Sequence, residues 1–287
     1  MNVLSDVSVV IVNWNGMRYL HDCLSSPFDG AEVILVDNAS SDGSVAYVRQ
    51  HFPRIRVVEN ETNVGFSVAN NIGAGLANGD YLLFLNMDTI VYESTIERMR
   101  SAFERDDTIG IVGARLERPD GRVQSASSRP LMSFERELRR MLSVRKRDAV
   151  YGAGIDYDRS HYTSSVCGAA LMIRRDLLGE LGGWPEEYFA YAEDTDLCRR
   201  ILERGYRIWY ESEARIMHYH GGSAKEVGIG RHLRSHLISH RSANLYIRRY
   251  EGRGKALIHA SLYPLDMLLV GFAYLYRSLR RRRRVRV

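Results

Sequence analysis

Acids and imidazoles that come directly after apolar runs are the side chains of this chain best placed to do chemistry. The run Tyr81-Leu82-Leu83-Phe84-Leu85 ends in Asn86-Met87-Asp88. In extended backbone Asn86 and Asp88 point the same way, so both oxygens could face one divalent cation; a structural turn is the competing reading. Hard oxygen ligands of this kind hold Mg2+ or Mn2+ together with substrate phosphates. Asp37 ends an earlier run that begins at Glu32. A carboxylate there accepts hydrogen bonds from a base or ribose, or closes an Asx turn or helix cap toward Ser40.

Further along, Glu193, Asp194 and Asp196 fall within four residues at a helix start, after Trp184, Tyr188 and Tyr191. A helix N-terminus stabilises acids whatever their role. The aromatics add a surface on which a sugar ring or lipid head group could stack, beside a carboxylate able to take a proton from a hydroxyl. His218 and His220 follow the last apolar run, with Gly221 and Gly222 behind them. Imidazole ligates Mn2+, although a structural histidine is the commoner case, and His218 lies nearer the strand end. The glycines would let backbone approach a diphosphate closely.

The elements that must position these groups alternate. Val7 to Asn13, Glu32 to Asp37, Ile55 to Glu59, Tyr81 to Asn86 and Ile109 to Val112 read as strands separated by helical periodicity, as in repeated βαβ units. The first 113 residues therefore predict an open, mostly parallel sheet. After the hairpin-like turn Pro119-Asp120-Gly121, a basic stretch from Arg136 to Arg147 reads as a mobile excursion or a helical flap. Val166 to Ile173, a helix from Thr195 to Arg204, and two runs, Arg207 to Tyr210 and Ala214 to Met217, extend the same sheet.

A chain of 287 residues is long enough for one large α/β domain or two smaller ones, and 45% hydrophobic with 26% charged is ordinary for a folded globule. Cys23, Cys167 and Cys198 show neither metal nor redox spacing, which fits a reducing compartment. Seven arginines, Arg277, Arg280 to Arg284 and Arg286, lie in the last eleven residues; subtracting them from the net +5 leaves −2 for the body. A basic tail meets an anionic membrane surface or nucleic acid. The segment before it, Ala256 to Tyr276, is apolar but carries His259, Pro264 and Asp266, so it predicts a helix lying in the interface rather than a span. Arg231 to Tyr250 predicts an amphipathic, surface-seeking helix.

The segments VSVVIVNWNG, VILVDNASSDGS, NETNVGFSVANNIGAGLANGDYLLFLNMD, VCGAALMIRRDLLGELGGWPEEYFAYAEDTDLCRRILERGYRI and HYHGGS occur in that order across residues 7 to 223. They resemble the inverting family 2 glycosyltransferases of the GT-A fold, especially the rhamnosyltransferase-like members that build bacterial surface polysaccharides. The resemblance implies a mostly parallel, Rossmann-like sheet flanked by helices over residues 1–225, and a membrane-associating helical segment over 226–287. It implies that Asp37 contacts the nucleoside of a nucleotide-sugar donor and that Asn13, Asn63, Gly65, Phe66 and Asn86 lie on the donor side. Asn86 stands where many relatives carry the first Asp of a D-x-D motif, which lowers the local charge. Asp88 and His218 would hold Mg2+ or Mn2+, Asp194 would be the general base, and Glu193 would orient base or acceptor. The implied donor is dTDP-rhamnose, and the implied acceptor a glycan on polyprenyl diphosphate at the cytoplasmic face of the membrane.

Two other classes make different demands. A nucleotidyltransferase would carry a Gly-rich, basic phosphate loop after the first strand, where this chain has Asn13-Trp14-Asn15-Gly16-Met17-Arg18. A nucleic-acid binder would interleave aromatic and basic residues on a platform; here the arginines follow an apolar segment instead. Nucleic acid is therefore not an expected partner.

Overall fold

The computed structural model describes residues 4–28, 30–142, 152, 154–219 and 229–284. The chain forms two compact units, one of Met1–Leu131 with Gly154–His220, the other of Met132–Ala153 with Gly221–Val287.

The first unit is a nine-stranded sheet with helices on both faces. Its parallel half consists of β1 (Val7–Asn13), β2 (Glu32–Asp37), β3 (Arg56–Glu59) and β4 (Tyr81–Asn86), linked by α1 (Met17–Leu24), α2 (Ser44–His51) and α3 (Phe66–Leu76). Strands covered on both faces read as continuous apolar runs, and β1 is buried at every position. Alternate residues feed two cores: Val9, Ile11, Leu35, Leu83 and Leu85 on one face, Val10, Val12, Ile34, Val36, Leu82 and Phe84 on the other.

Beyond β4 the sheet turns mixed. The remaining strands are β5 (Thr89–Val91), β6 (Ile109–Glu117), β7 (His161–Thr163), β8 (Ala170–Arg174) and β9 (Arg207–His218), with α4 (Thr95–Ala102) after β5 and α6 (Arg175–Glu180) and α7 (Glu193–Glu203) after β8; the order is β3-β2-β1-β4-β8-β6-β9-β5, with β7 also on β9. β8 runs antiparallel to both β4 and β6, and β9 is parallel to β6. Two reversals restore the direction, so the carboxyl end of β9 comes out on the same sheet edge as those of β1, β2 and β4. The chain order switches sides between β1 and β4, the place where open α/β sheets leave a ligand crevice. Arg207 to Tyr210 and Ala214 to Met217, expected as two runs, are one strand bent by a register shift opposite Ala114 and Arg115. Such an irregularity lets a single strand serve two partners.

Gly73 is a case where packing decides a residue. A glycine inside a helix usually costs about 0.5–1 kcal/mol relative to alanine. A Cβ on Gly73 would sit 2.3 Å from Val10 Cγ1 and 3.2 Å from Val36 Cγ2, so α3 can lie on β1 and β2 only without it. Gly73→Ala is expected to destabilise the unit by about 1–3 kcal/mol, the range for overpacking. A melting temperature at or above that of the wild type would refute this close fit.

The second unit contains α5 (Phe134–Leu142), α8 (Ile229–Tyr250) and α9 (Arg253–Arg284). The first part of the expected flap is thus the helix α5, while residues 143–147 lie outside the described residues. α9 continues through Pro264, and no helix among the described residues is long and apolar enough to cross a membrane. Between α8 and α9 the rings of His240 and His259 stack at 4.1 Å, and Asn244 Nδ2 lies 3.2 Å from His259 Nδ1. His236 Nε2 meets Asp266 Oδ2 at 2.6 Å. The Nε2 atoms of His240 and His259 are buried without a hydrogen-bond partner. Burial, more than any neighbouring charge, pushes both imidazoles down, His240 to about 4.

Candidate active site

The carboxyl ends of β1, β2 and β3 are joined by amides. Asn13 is paired in register with Asp37, and its Nδ2 donates to Asp37 Oδ1 at 2.7 Å and to Ser44 Oγ at 2.9 Å. Asp37 Oδ2 accepts the Ser40 N–H at 2.8 Å, which is the Asx-type turn weighed for it from the sequence. Both side chains are buried. Asn38 Nδ2 donates to Gly65 O, Asn60 Nδ2 donates to Asn38 Oδ1, and the Gly65 N–H donates to Asn63 Oδ1. Gly65 begins α3 at φ +90, where a Cβ would lie 2.8 Å from Phe189 O. The next amide, Phe66 N–H, donates to that same oxygen at 2.9 Å, while the Phe66 ring packs edge-on against Trp184.

Asp88 and His218 meet at the edge shared by β4 and β9. The strand stops at Asn86, Met87 and Asp88 form a turn, and β5 then pairs Thr89 with His218. The extended alternation expected of Asn86 and Asp88 is therefore absent, because the backbone turns to start β5. Asp88 is brought instead to His218, with Nε2 3.3 Å from Oδ1. The other ring nitrogen is set by a residue that the sequence reading did not single out. Gln124 Nε2 donates to the backbone oxygens of His218 and Glu117, so its Oε1 faces His218 Nδ1 at 3.1 Å. That oxygen can only accept, so Nδ1 donates to it and Nε2 is the ring nitrogen turned toward Asp88. A carboxylate oxygen and an imidazole nitrogen this close could ligate one divalent cation together. Among the described residues no group of three or more His, Cys, Asp or Glu could hold one, so a cation here would need ligands from a substrate. His220, Gly221 and Gly222 lie outside the described residues.

The acid cluster opens α7 (Glu193–Glu203), the helix expected to begin at Thr195. Tyr191 and Ala192 precede it with φ of 68, both left-handed without being glycine. Residues so placed cost about 1–3 kcal/mol each and persist where surrounding structure enforces them. The twist brings Asp194 to a set of donors: Arg129 Nη2 at 2.8 Å and Gly168 N–H at 3.1 Å on Oδ2, Thr195 N–H at 2.7 Å on Oδ1. Arg129, 65 positions away, is a second residue missed in the sequence, where a long-range partner leaves no local signal.

Glu193 differs sharply from its neighbour. Its Oε2 is buried with no hydrogen-bond partner, and burial, then the adjacent Asp194, pushes its carboxyl from 4.5 up to about 8. The folded protein holds this proton while an unfolded chain releases it, so the contribution is complete below about 4.5 and fades as pH rises through about 8. Glu193→Gln is expected to flatten the fall in stability across that window, read by urea unfolding at its two ends. A parallel loss in both proteins would place the slope elsewhere.

Two aromatics do not lie where the sequence suggested. Trp184 and Tyr188 are each only 1% exposed and cannot stack a ligand. Trp184 packs edge-on against Phe66 and Phe84, and Tyr188 donates its hydroxyl to Asp196 Oδ2 at 2.8 Å. Phe189 and Tyr191 are the exposed rings of that segment.

A Rossmann-like sheet with an acid-imidazole pair beyond its switch point and an acid cluster at a neighbouring helix start defines a glycosyltransferase of the GT-A fold. Solved structures share the architecture. A mannosyltransferase from Pyrobaculum calidifontis, in complex with GDP-Man and Mn2+, superposes with a TM-score of 0.58 at 18% identity over 96% of this chain and 75% of its own. GalNAc-T7 with UDP, GalNAc and Mn2+ superposes at 0.55, with 19% identity over 74% of this chain and 43% of that one. Residues 8–182 match the pattern of Glycosyl transferase family 2, and the chain belongs to that family. It is 27% identical, over 88% of its length and 86% of the relative's, to the N-acetylglucosaminyl-diphospho-decaprenol L-rhamnosyltransferase of Mycobacterium tuberculosis.

Proposed function

We propose that this glycosyltransferase transfers rhamnose from dTDP-rhamnose, with inversion, to a glycan carried on polyprenyl diphosphate. The observation that carries the reading is the convergence of Asp88, His218 and the Asn13–Asp37 pair on one sheet edge. The similarity to the mycobacterial rhamnosyltransferase over most of both chains supports the choice of donor and acceptor.

Asp37 and its amide neighbours form the floor for the nucleoside, with Asn63, Gly65 and Phe66 setting the position of α3 beside it. Asp88 and His218 fit Mg2+ or Mn2+, and the bound ion would neutralise charge on the departing diphosphate. Asp194 takes the proton of the acceptor hydroxyl as its oxygen bonds to the anomeric carbon. The bond to the diphosphate breaks from the opposite face, and dTDP leaves with the electron pair. Arg129 and Gly168 donate to Asp194 Oδ2 and Thr195 donates to Oδ1, which fixes the orientation of the carboxylate that takes the proton. Glu193, protonated at neutral pH, adds no second negative charge beside the base.

The direct assay supplies dTDP-rhamnose and an N-acetylglucosaminyl polyprenyl diphosphate to the full-length protein and follows the nucleotide released. Release of dTDP with one rhamnose added to the lipid is the expected result. Release of pyrophosphate, or of no nucleotide with this donor while another sugar nucleotide reacts, would overturn the donor assignment.

A further inference from the structure

α9 has its polarity inverted. The face turned into the second unit carries Ala256, His259, Asp266 and Val270, all buried, with Tyr263 half-buried among them. Asp266 meets His236 of α8, and His259 stacks on His240. The opposite face carries Leu257, Ile258, Leu265, Leu268 and Phe272, each between 51% and 72% exposed. The other exposed positions between 257 and 272 are Ala260, Ser261 and Pro264, so this face holds no charge over four turns. A helix at a water surface shows the reverse, with charges outward and apolar residues inward. A continuous outward stripe of large apolar side chains marks a surface that another phase or molecule covers.

The charge that follows the stripe selects the occupant. Immediately beyond it the sequence supplies Arg277, Arg280 to Arg284 and Arg286 with no acid among them. A second copy of this chain docked in parallel would bring its own arginines to the same neighbourhood, where like charges oppose the contact. An antiparallel copy would set its arginines against a face that carries no acid. An anionic lipid surface satisfies both features, taking the apolar side chains below its head groups and the arginines at them. We infer that α9 seats in the plane of an anionic bilayer through Leu257, Ile258, Leu265, Leu268 and Phe272. The inference is independent of which sugar the active site transfers, and it gives the expected membrane attachment a specific face.

The test is sedimentation of the full-length protein with vesicles of phosphatidylcholine alone, or of phosphatidylcholine with phosphatidylglycerol. The wild type is expected to sediment with the anionic vesicles and to be released by salt. The double variant Leu265→Glu with Leu268→Glu alters only exposed side chains, so its thermal unfolding stays that of the wild type, while its partitioning falls by about tenfold or more. A second pair at the ends of the stripe, Leu257→Glu with Phe272→Glu, repeats the measurement on different side chains. Sedimentation of both double variants like the wild type overturns the proposal, as does equal binding to the two vesicle types. Light scattering that shows a dimer in the wild type and a monomer in the variants, with vesicle binding unchanged, would make the stripe an interface between copies instead.

Discussion

Asp194→Asn is expected to reduce the rate of sugar transfer by about 10²–10⁴-fold, the range for losing a positioned general base, while nucleotide-sugar binding survives. The carboxamide matches the carboxylate in size but cannot take a proton. It also fits the local donors poorly. With its oxygen toward Arg129 and Gly168, its amide group faces the Thr195 N–H, donor against donor. Some loss of stability is therefore expected too, and thermal unfolding with and without donor separates it from the loss of catalysis. Arg129→Lys keeps a positive charge but not the planar fork, and should lower kcat by loosening the hold on the Asp194 carboxylate. Near-normal turnover in Asp194→Asn would remove this residue as the base and turn attention to Glu193, the acid beside it with an unpartnered buried oxygen.

The second large effect is expected at Asp88. Asp88→Asn replaces the carboxylate that faces His218 Nε2 and should cost about 10²–10³ in kcat, comparable to losing one electrostatic contact to a developing negative charge. Chelation should stop the wild type, and Mn2+ or Mg2+ should restore it. A binding readout makes the test independent of turnover: calorimetric affinity for the nucleoside diphosphate should rise on adding Mn2+ to the wild type and stay flat for Asp88→Asn. Full activity of the wild type in chelator would sink the metal assignment, whatever the variant does.

The residues that were legible in the sequence are those whose structure follows from local burial. β1, β2 and β4 begin and end where their sequence runs do, because strands covered on both faces are apolar over most of their length. The Pro119-Asp120-Gly121 turn also stands, closed by the Gly121 N–H on Arg118 O at φ +79. What could not be read depended on distant partners. Met87 and Asp88 leave the extended conformation because β5 must reach β9, some 130 residues on. Trp184 and Tyr188 look like ligand-stacking residues by type, yet Phe66, Phe84 and Asp196 claim them. α7 starts two residues before its expected first residue because Ala192 caps it from the left-handed region, a conformation that alanine does not advertise. Gln124 and Arg129 lie in a segment without clear periodicity, and only the folded sheet brings them to His218 and Asp194.

The hydrogen bond from the Phe66 N–H to Phe189 O, with Gly65 pressed against the same residue, makes α3 and the segment leading to Asp194, the proposed base, one mechanical part. Three residues separate Phe189 from Glu193, and two of them are the left-handed Tyr191 and Ala192, which have little freedom to absorb a displacement. A change that moves the start of α3 is thus transmitted to the proposed base as well as to the proposed nucleotide site. Kinetic damage from substitutions at Asn63 or Gly65 should appear in kcat as well as in KM, the signature of a linkage rather than of two separable sites.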